Sequence, residues 1–346
     1  DTSEVDPLDD VIGQDRAMQA IRFGIEMQRP GYHIFVTGRE GTGRTTIVGE
    51  FARKHAESLP TPDDWCMVHN FQDPFRPKAL RLPAGQSGRF AKRMARLIRD
   101  LKIRLPKEFE TESYRQRTAE ILDHHRLKQE QNFDDLQGRA SAQGFQIVRS
   151  SSGYQVVPLR EGKPVPQEEY ETLPEDQKAE IDARARRLRH DVETVLHENR
   201  KIQQAMQKEV ENLKEEVALF IVEDRLELLR EDYNECADVQ AYLDAVQLDL
   251  VENITLFLED ARTGAEKVSA PDGADAFRKY RINVLVDRTG TQGAPVVFEP
   301  NPSYPNTFGH IEKWALAGAL TTDFTRVQAG SLLQANGGFL ILEIAA

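Results

Sequence analysis

Cysteine is nearly absent from this sequence, and the two that occur, Cys66 and Cys236, lie far apart. Their separation does not match metal-ligand spacing, so we expect free thiols and no metal site. The chain also lacks any run of about 18 apolar residues, which predicts no membrane span. Its acidic N-terminus (DTSEVD) differs from a signal or transit peptide. We therefore expect a cytoplasmic protein with no membrane partner.

Positive charge is in deficit: 45 Lys and Arg stand against 57 Asp and Glu, for a net charge of −12. Because nucleic-acid binding needs a basic face, we expect no nucleic-acid partner. Hydrophobic residues make up only 39% of the chain, and the mean hydropathy is −0.56. A chain of 346 residues is long enough for two or three domains. Much of it must lie at a surface, as a long helical arm would.

A glycine-rich loop is the most informative motif. Residues 38–45 (GREGTGRT) have the phosphate-loop spacing GxxxxGK[ST], with Arg44 in place of lysine. The β-like run 32–37 (YHIFVT) precedes the loop, and a helical pattern from Thr45 to about His55 follows it. A glycine-rich turn without a ligand is the alternative, but the order strand, loop, helix is the one that a phosphate site requires.

Arg44 raises the question of whether such a site hydrolyses nucleotide. Arginine keeps the positive charge of lysine, but its planar guanidinium is larger and prefers bidentate partners. Phosphoryl transfer depends on positioning and charge neutralisation. We therefore expect that binding can survive this change while hydrolysis suffers.

A second nucleotide-site element precedes the loop. Residues 12–14 (Ile-Gly-Gln) lead into a helical spacing of small and apolar residues. They resemble the hydrophobic-Gly-Gln segment that lies near the adenine in AAA+ modules. This resemblance implies that Ile12 and Gln14 contact nucleotide.

The acidic strand of such an ATPase has one candidate, residues 337–346 (GGFLILEIAA). An active site needs a metal-site Asp and commonly a catalytic Glu at the end of this strand. In one register the metal-site Asp becomes Glu343 and the catalytic acid becomes Ile344. In the other register the Asp becomes Leu342 and Glu343 remains as the base. Both registers lose one carboxylate.

A long helical arm interrupts the α/β pattern. Apolar residues alternate in steps of four and three, then resume after a four-residue insertion, which predicts a coiled-coil seam with a stutter. The seam residues are Ile181, Ala185, Leu188, Val192, Val195, Asn199, Ile202, Met206, Val210, Leu213, Val217 and Phe220. The partner helix is predicted from Phe109 to about Arg139. Between the two helices, residues 145–148 and 154–157 predict a small hairpin at the arm's tip.

The predicted fold class is therefore α/β: a P-loop, AAA+-like parallel sheet with helices on both faces, interrupted by a coiled-coil insertion with a tip hairpin. Residues 1–106 would form the first part of the α/β domain with the phosphate loop. Residues 107–262 would form the helical arm. Residues 263–346 would continue the α/β domain up to the acidic strand.

Several segments together resemble the Lon family. Residues 327–345 (VQAGSLLQANGGFLILEIA) are similar to the segment that precedes and contains the acidic strand in Lon-type AAA+ proteases. Residues 73–85 (DPFRPKALRLPAG), the phosphate loop and the helical insertion resemble a Lon-like branch with divergent AAA+ modules. Within that branch the chain looks most like the ATP-independent C-type Lon proteases.

This resemblance implies a partner domain and a set of site residues. Family members end in a protease domain with a Ser–Lys dyad, which this chain lacks, so we expect that domain beyond Ala346 and no catalytic residue here. The resemblance also implies a homo-oligomeric ring, unfolded polypeptide substrates, and either no cofactor or weakly bound ATP or ADP with Mg. The nucleotide-site positions carried over are Gly38, Gly41, Gly43, Arg44, Thr45, Thr46, Ile12, Gln14 and Glu343.

Three functions remain open. The first is the substrate-handling, ring-forming module of a Lon-like peptidase that degrades unfolded proteins, with a nucleotide site unable to hydrolyse ATP. The second is an active ATP-dependent unfoldase, since Thr45 still offers a hydroxyl to Mg²⁺ and Glu343 could serve as either acid. The third is a non-enzymatic coiled-coil scaffold built on a P-loop fold.

Other residues have both functional and structural interpretations. Phe308, Trp314 and Leu316 fall where Lon-type modules carry a pore loop that grips substrate, although core packing would also explain them. His124 and His125 lack the spacing of four that a helical metal site favours. We therefore expect both histidines on a solvated helix face.

Overall fold

The computed structural model describes residues 13–27, 29, 31–39, 41–150, 153–160, 162–263, 275–316 and 319–344. The chain divides into two compact units, one formed by residues 1–103 and 222–346 and the other by residues 104–221. We predicted residues 222–262 as part of the arm, but in this division they group with the first unit. The domain boundaries given above remain a prediction. No helix in the described ranges combines the length and apolarity needed to cross a membrane.

The helices and strands alternate irregularly along the chain. The helices are α1 (Asp15–Glu26), α2 (Arg44–Ala56), α3 (Ser87–Phe109), α4 (Glu112–Ala142), α5 (Gln167–Glu171), α6 (Glu175–Asp232), α7 (Ala237–Glu252), α8 (Ile254–Thr263), α9 (Tyr304–Phe308) and α10 (Ser331–Gln334). The strands are β1 (Asp64–Val68), β2 (Lys78–Leu82), β3 (Phe145–Ser150), β4 (Gly153–Arg160), β5 (Lys163–Pro164), β6 (Ile282–Val286), β7 (Val296–Glu299), β8 (Gly309–Ile311), β9 (Trp314–Leu316), β10 (Ala319–Thr321), β11 (Val327–Ala329) and β12 (Phe339–Leu342). Short 3-10 helices cover Ala276–Tyr280 and Phe324–Arg326.

An antiparallel sheet of order β2-β1-β6 forms one part of the first unit. Every second side chain of β1 is buried, namely Asp64, Cys66 and Val68, which is the period expected of a half-buried strand. Burial raises the pKa of the Cys66 thiol to about 12, with Asp64 and Asp287 adding to the effect. This thiol therefore stays protonated and unreactive near neutral pH.

The buried carboxylate of Asp64 joins three segments of this unit. It accepts hydrogen bonds from the backbone N–H of Ser87, at the start of α3, and of Arg288, just after β6, at 2.9 and 2.8 Å. The Arg288 side chain in turn donates to the carbonyl of Gln334 in α10. Burial lowers the pKa of the Arg288 guanidinium, and the Asp64 charge opposes that shift. These hydrogen bonds to backbone N–H groups offset the free-energy cost of burying the Asp64 carboxylate.

A parallel strand pair forms the other part of the α/β layer. β7 and β12 run parallel with Val296 opposite Phe339 and Leu342 opposite Glu299. The remaining pairs in this unit, β8 with β11 and β9 with β10, are antiparallel. The chain is therefore a mixed α/β structure with long helices and small sheets. The larger parallel sheet with helices on both faces is not formed by the described residues.

The strand predicted over residues 32–37 is one reason for that difference. Those residues form no strand and pair with no described strand. Ile34 instead packs against Gly24 of α1, where an added side-chain carbon would lie 2.8 Å from the Ile34 side chain. Apart from this contact the run lies mostly at the surface, with Phe35 82% exposed.

The second unit is an antiparallel helix pair. Partners on α4 and α6 run in opposite directions along the chain: Arg117 pairs with Glu216, His125 with Glu209, and Asn132 with Asn199. The predicted seam is largely confirmed, since from Ile181 to Val217 each seam residue of α6 is buried or half-buried. Asn199 also accepts a hydrogen bond from Gln129 through its carbonyl oxygen, at 3.3 Å. The side-chain amides of Asn132 and Asn199 form a polar layer that fixes the register of the helix pair.

The tip of the arm carries its apolar core. β3 and β4 form the predicted hairpin, with Ile147 opposite Val156. The hairpin covers the helix pair, and the core residues are Leu136, Ala140, Phe145, Ile147, Ala185, Leu188, Val192 and Val195. The strand β5, which pairs with β4, was not predicted. The apolar residues of the hairpin and of the two helices therefore pack against one another in a single core.

Two expectations about the arm are wrong. Phe220 is 77% exposed, because beyond Val217 the buried stripe moves to Ala218 and Val222. His125 does not lie on a solvated face: it is 3% exposed, with Nε2 3.0 Å from a Glu209 carboxylate oxygen in a poorly aligned geometry.

Candidate nucleotide-binding site

The glycine loop leads directly into α2. Gly41 and Gly43 have left-handed backbone conformations, with φ of 76° and 75°, which glycine adopts without strain. The helix begins at Arg44, with Gly43 as its N-cap, and no side chain caps its first turn. The first N–H groups of α2 therefore remain available to an anion, as at a phosphate site. Thr45 and Thr46 lie on this turn and are exposed.

Arg44 is half-buried at the start of the helix. A side-chain carbon placed on Gly38 would lie 3.3 Å from both Cδ of Arg44 and the hydroxyl of Thr42. The loop is also tied back on itself, since the Thr42 hydroxyl donates to the carbonyl of Arg39 at 2.7 Å. Gly38 thus leaves the room that the arginine stem occupies.

The direction of α2 places its first turn at the carboxyl edge of the parallel strands. At its other end, the carbonyl of Ala56 accepts a hydrogen bond from the N–H of Ala294, which precedes β7, at 2.9 Å. The His55 ring lies 6.0 Å from the ring of Phe339, at the start of β12. Since 13 helical residues span about 20 Å, the N-terminus of α2 lies toward the strand ends. Ile21, Ile25 and Ala52 form the core under this layer.

Glu343 follows β12 at this same edge. It is exposed, and its N–H donates to the carbonyl of Glu299 at 3.1 Å, which extends the parallel pairing by one bond. Ile344, the next residue, is 70% exposed and offers no carboxylate. The direction of α2 thus points the loop toward the edge at which β12 ends, where Glu343 is the predicted acid.

Glu299 is a second carboxylate at this edge that sequence reasoning missed. It ends β7 and accepts a hydrogen bond from the N–H of Asn301 at 3.0 Å. The signal was present, because residues 296–298 are apolar and an acid follows them, as at Glu343. Glu299 and Glu343 thus lie at the ends of neighbouring parallel strands. Among the described residues no group of three or more His, Cys, Asp or Glu is arranged to hold a metal ion.

Gln14 lies at the start of α1. Its backbone is left-handed, with φ of 64°, and its carbonyl accepts the N–H groups of Ala17 and Met18. For a residue other than glycine this conformation costs about 1–2 kcal/mol. α1 packs on α2 through Ile21 and Ile25, which leaves Gln14 exposed. Ile12 lies outside the described residues.

The predicted substrate contacts separate into two environments. Phe308 is 59% exposed, and its ring lies 4.9 Å from that of Tyr304, which is 75% exposed. Trp314 is half-buried, with the Arg278 and Arg326 guanidiniums 4.9 and 5.1 Å from its ring. Leu316 ends β9, and its side chain is not among those described. The aromatic pair Tyr304/Phe308 faces solvent, whereas Trp314 packs against cations.

Arg278 also forms an ion pair with Asp323, whose contribution to stability can be measured. Arg278 donates to the Asp323 carboxylate at 2.6 Å, and Thr325 donates to the same carboxylate through its N–H and hydroxyl. Burial raises the pKa of Asp323, but these hydrogen bonds outweigh it and the pKa is lowered overall. The stabilisation is therefore present above the unfolded pKa, about 4, and is lost as pH falls through the folded pKa.

We expect Asp323→Asn to destabilise the first unit by about 2 kcal/mol at neutral pH. Both tryptophans, Trp65 and Trp314, lie in this unit, so tryptophan fluorescence during urea unfolding measures its stability. The difference in the free energy of unfolding between wild type and Asp323→Asn should become smaller at acidic pH. Asp73→Asn, which removes an exposed pair with Arg76, is the control and should change little. A gap that persists unchanged below pH 4 would contradict the assignment.

Two family models match the chain. The model described as LonB-like, AAA domain matches residues 292–346, which hold β7 to β12. The model described as Lon-like LonC helical domain matches residues 64–97, which hold β1, β2 and the first part of α3. No curated protein shows significant similarity to the chain. Both matches are to models of Lon-like domains, and they confirm the resemblance seen in the motifs of the chain.

Proposed function

We propose that this Lon-family chain is the AAA+-like, substrate-handling and ring-forming module of a Ser–Lys endopeptidase that degrades unfolded proteins, with a nucleotide site that does not hydrolyse ATP. One observation carries the proposal. The glycine loop has Arg44 in the lysine position, and the acidic strand has Ile344 beside Glu343. Two elements that phosphoryl transfer needs are altered, while the start of α2 keeps the glycine-rich turn of a phosphate site.

The proposed site keeps the features needed for anion contact. The exposed first turn of α2 and the Arg44 charge favour a phosphate. Because the lysine and one carboxylate are missing, ATP or ADP with Mg would bind weakly or not at all. In this role the module would gate a proteolytic chamber and admit chains that are already unfolded. The protease domain beyond Ala346, a homo-oligomeric ring and a cytoplasmic location belong to the same proposal.

The aromatic pair Tyr304/Phe308 supports contact with unfolded polypeptide. Exposed aromatic rings offer apolar area to any extended chain without requiring a particular sequence. The pair is held in place because the Ser303 hydroxyl caps α9 and the helix continues into β8. Phe308 is therefore the predicted substrate contact that the geometry supports best, and Tyr304 adds to it.

We expect Tyr304→Ser combined with Phe308→Ser to weaken binding of casein by about tenfold, since two exposed rings lose their contact area. Casein serves as the unfolded probe, and fluorescence anisotropy measures its affinity. The matched control is Phe75→Ser, which removes a ring that is 95% exposed elsewhere on this unit. Equal losses in both variants, or no loss in the double variant, would refute the assigned contact.

An active unfoldase is the second candidate, and Glu299 favours it. This carboxylate ends the strand beside Glu343, so the edge holds two acids even though β12 supplies one. If Glu299 replaced the missing acid, Mg-ATP hydrolysis would be retained and would depend on both glutamates. Loss of hydrolysis in Glu299→Gln would then identify this alternative.

A further inference from the structure

A groove in the first unit lies between α3 and the 3-10 helix Ala276–Tyr280. Its volume is about 460 Å³, within the range of binding pockets for small ligands or a few side chains. The apolar lining includes Ala91, Ala95, Ile98 and Phe277. The charged lining consists of the basic residues Arg99, Lys102 and Arg281 and the acidic residue Asp275. The groove therefore combines an apolar floor with a cationic rim.

The wall opposite α3 is fixed by several contacts. The Asp275 carboxylate accepts the N–H of Phe277 at 2.9 Å, and the Phe277 ring packs edge-on against Phe257 at 4.9 Å. The Tyr280 hydroxyl donates to Asp249 at 2.6 Å. Burial and this hydrogen bond raise the pKa of Tyr280, so the hydroxyl keeps its proton. A ligand would meet a preformed surface, which lowers the entropy lost on binding.

The cations of the rim are not all neutralised. Arg281 pairs with Asp275 at 2.8 Å, and Lys102 pairs with Asp260 at 3.4 Å while lying 3.6 Å from the Phe277 ring centre. Arg99 is exposed and makes no ion pair within the part of the chain that the structure describes. The rim therefore keeps positive charge on a protein whose net charge is −12.

The geometry points to this groove as a docking site for a short acidic polypeptide segment. A carboxylate of the segment would meet Arg99, and an apolar side chain would occupy the floor above Ala95. Charge complementarity selects an acidic partner, and the apolar floor selects a peptide over nucleic acid, whose phosphates need only a basic face. This inference goes beyond the proposed function and does not involve the aromatic pair.

The test uses a fluorescent peptide rich in glutamate and leucine, with binding to the full chain measured by anisotropy. We expect Arg99→Glu to weaken binding by about tenfold or more, since it removes one charge-assisted contact and adds repulsion. Ala95→Trp should weaken binding similarly by filling the groove, and Ala95 is exposed enough to accept the larger ring. The control Arg96→Glu changes the same charge at an exposed position of α3 outside the lining and should have less than about threefold effect.

Other results would overturn the inference. Equal loss in Arg96→Glu and Arg99→Glu would indicate general attraction to α3 rather than docking. Unchanged affinity for a peptide with serine in place of leucine would exclude the apolar floor, and equal competition by single-stranded DNA would indicate a polyanion site. Wild-type self-association that Arg99→Glu abolishes, measured by sedimentation, would identify a second copy as the occupant instead.

Discussion

Phosphate release from Mg-ATP by the purified protein is expected to stay at background, and Arg44→Lys alone is not expected to raise it. The loop variant restores the compact ammonium, but the acidic strand still lacks one carboxylate because Ile344 follows Glu343. Each missing element of charge neutralisation is worth several kcal/mol. Since about 1.4 kcal/mol changes a rate tenfold, the two losses together reduce turnover by several orders of magnitude.

The double variant Arg44→Lys with Ile344→Glu is the decisive comparison. In the register that puts the metal-site acid at Glu343, it supplies both missing groups, so it should release more phosphate than either single variant. Thr45→Ala in that background should remove the gain, because Thr45 occupies the position of the phosphate-loop motif whose hydroxyl binds Mg²⁺. Robust release by the wild type that Thr45→Ala abolishes would instead support the unfoldase.

Val192→Asp is expected to destabilise the arm by about 4 kcal/mol, because it places an unpaired charge in the tip core. Val192 is buried there among Leu136, Phe145 and Leu188. Helical circular dichroism should therefore show an earlier unfolding transition. Tryptophan fluorescence should not follow it, since both tryptophans lie in the other unit.

The matched control is Thr194→Asp, an exposed position on the same helix that adds the same charge. It should move the circular dichroism transition little. A fragment of residues 104–221 contains the complete tip core and should fold by itself. A disordered fragment, or equal effects of the two aspartates, would show that the arm depends on contacts other than its own core.

The helical parts of this protein were predictable because their signals are local. The alternating steps of four and three placed Ala185, Leu188, Val192 and Val195 in one stripe, and the structure buries all of them. The start of α2 was also predictable, since glycines at 41 and 43 supply the left-handed backbone that precedes the helix. In both cases the residues that decide the structure are neighbours in sequence.

Sequence reasoning failed where distant partners decide the outcome. Residues 32–37 have strand composition, yet a strand forms only if another strand offers an edge, and Ile34 packs on α1 instead. His125 is buried where α4 packs against α6, with Glu209 of α6 3.0 Å away, and its own helix does not reveal this contact. Glu299 was overlooked because its position beside Glu343 follows from strand pairing, which periodicity does not specify.

The hydrogen bond between Asp64 and Arg288 has a consequence for biosynthesis. It joins residues that are 224 positions apart, and the whole arm lies between them. At about 5–20 residues per second, a ribosome needs on the order of ten to forty seconds to make the intervening chain. During that interval β1 and β2 have emerged without their third strand, whereas the arm has all its own partners. We therefore expect the arm to fold on the nascent chain before the sheet around Asp64 can close.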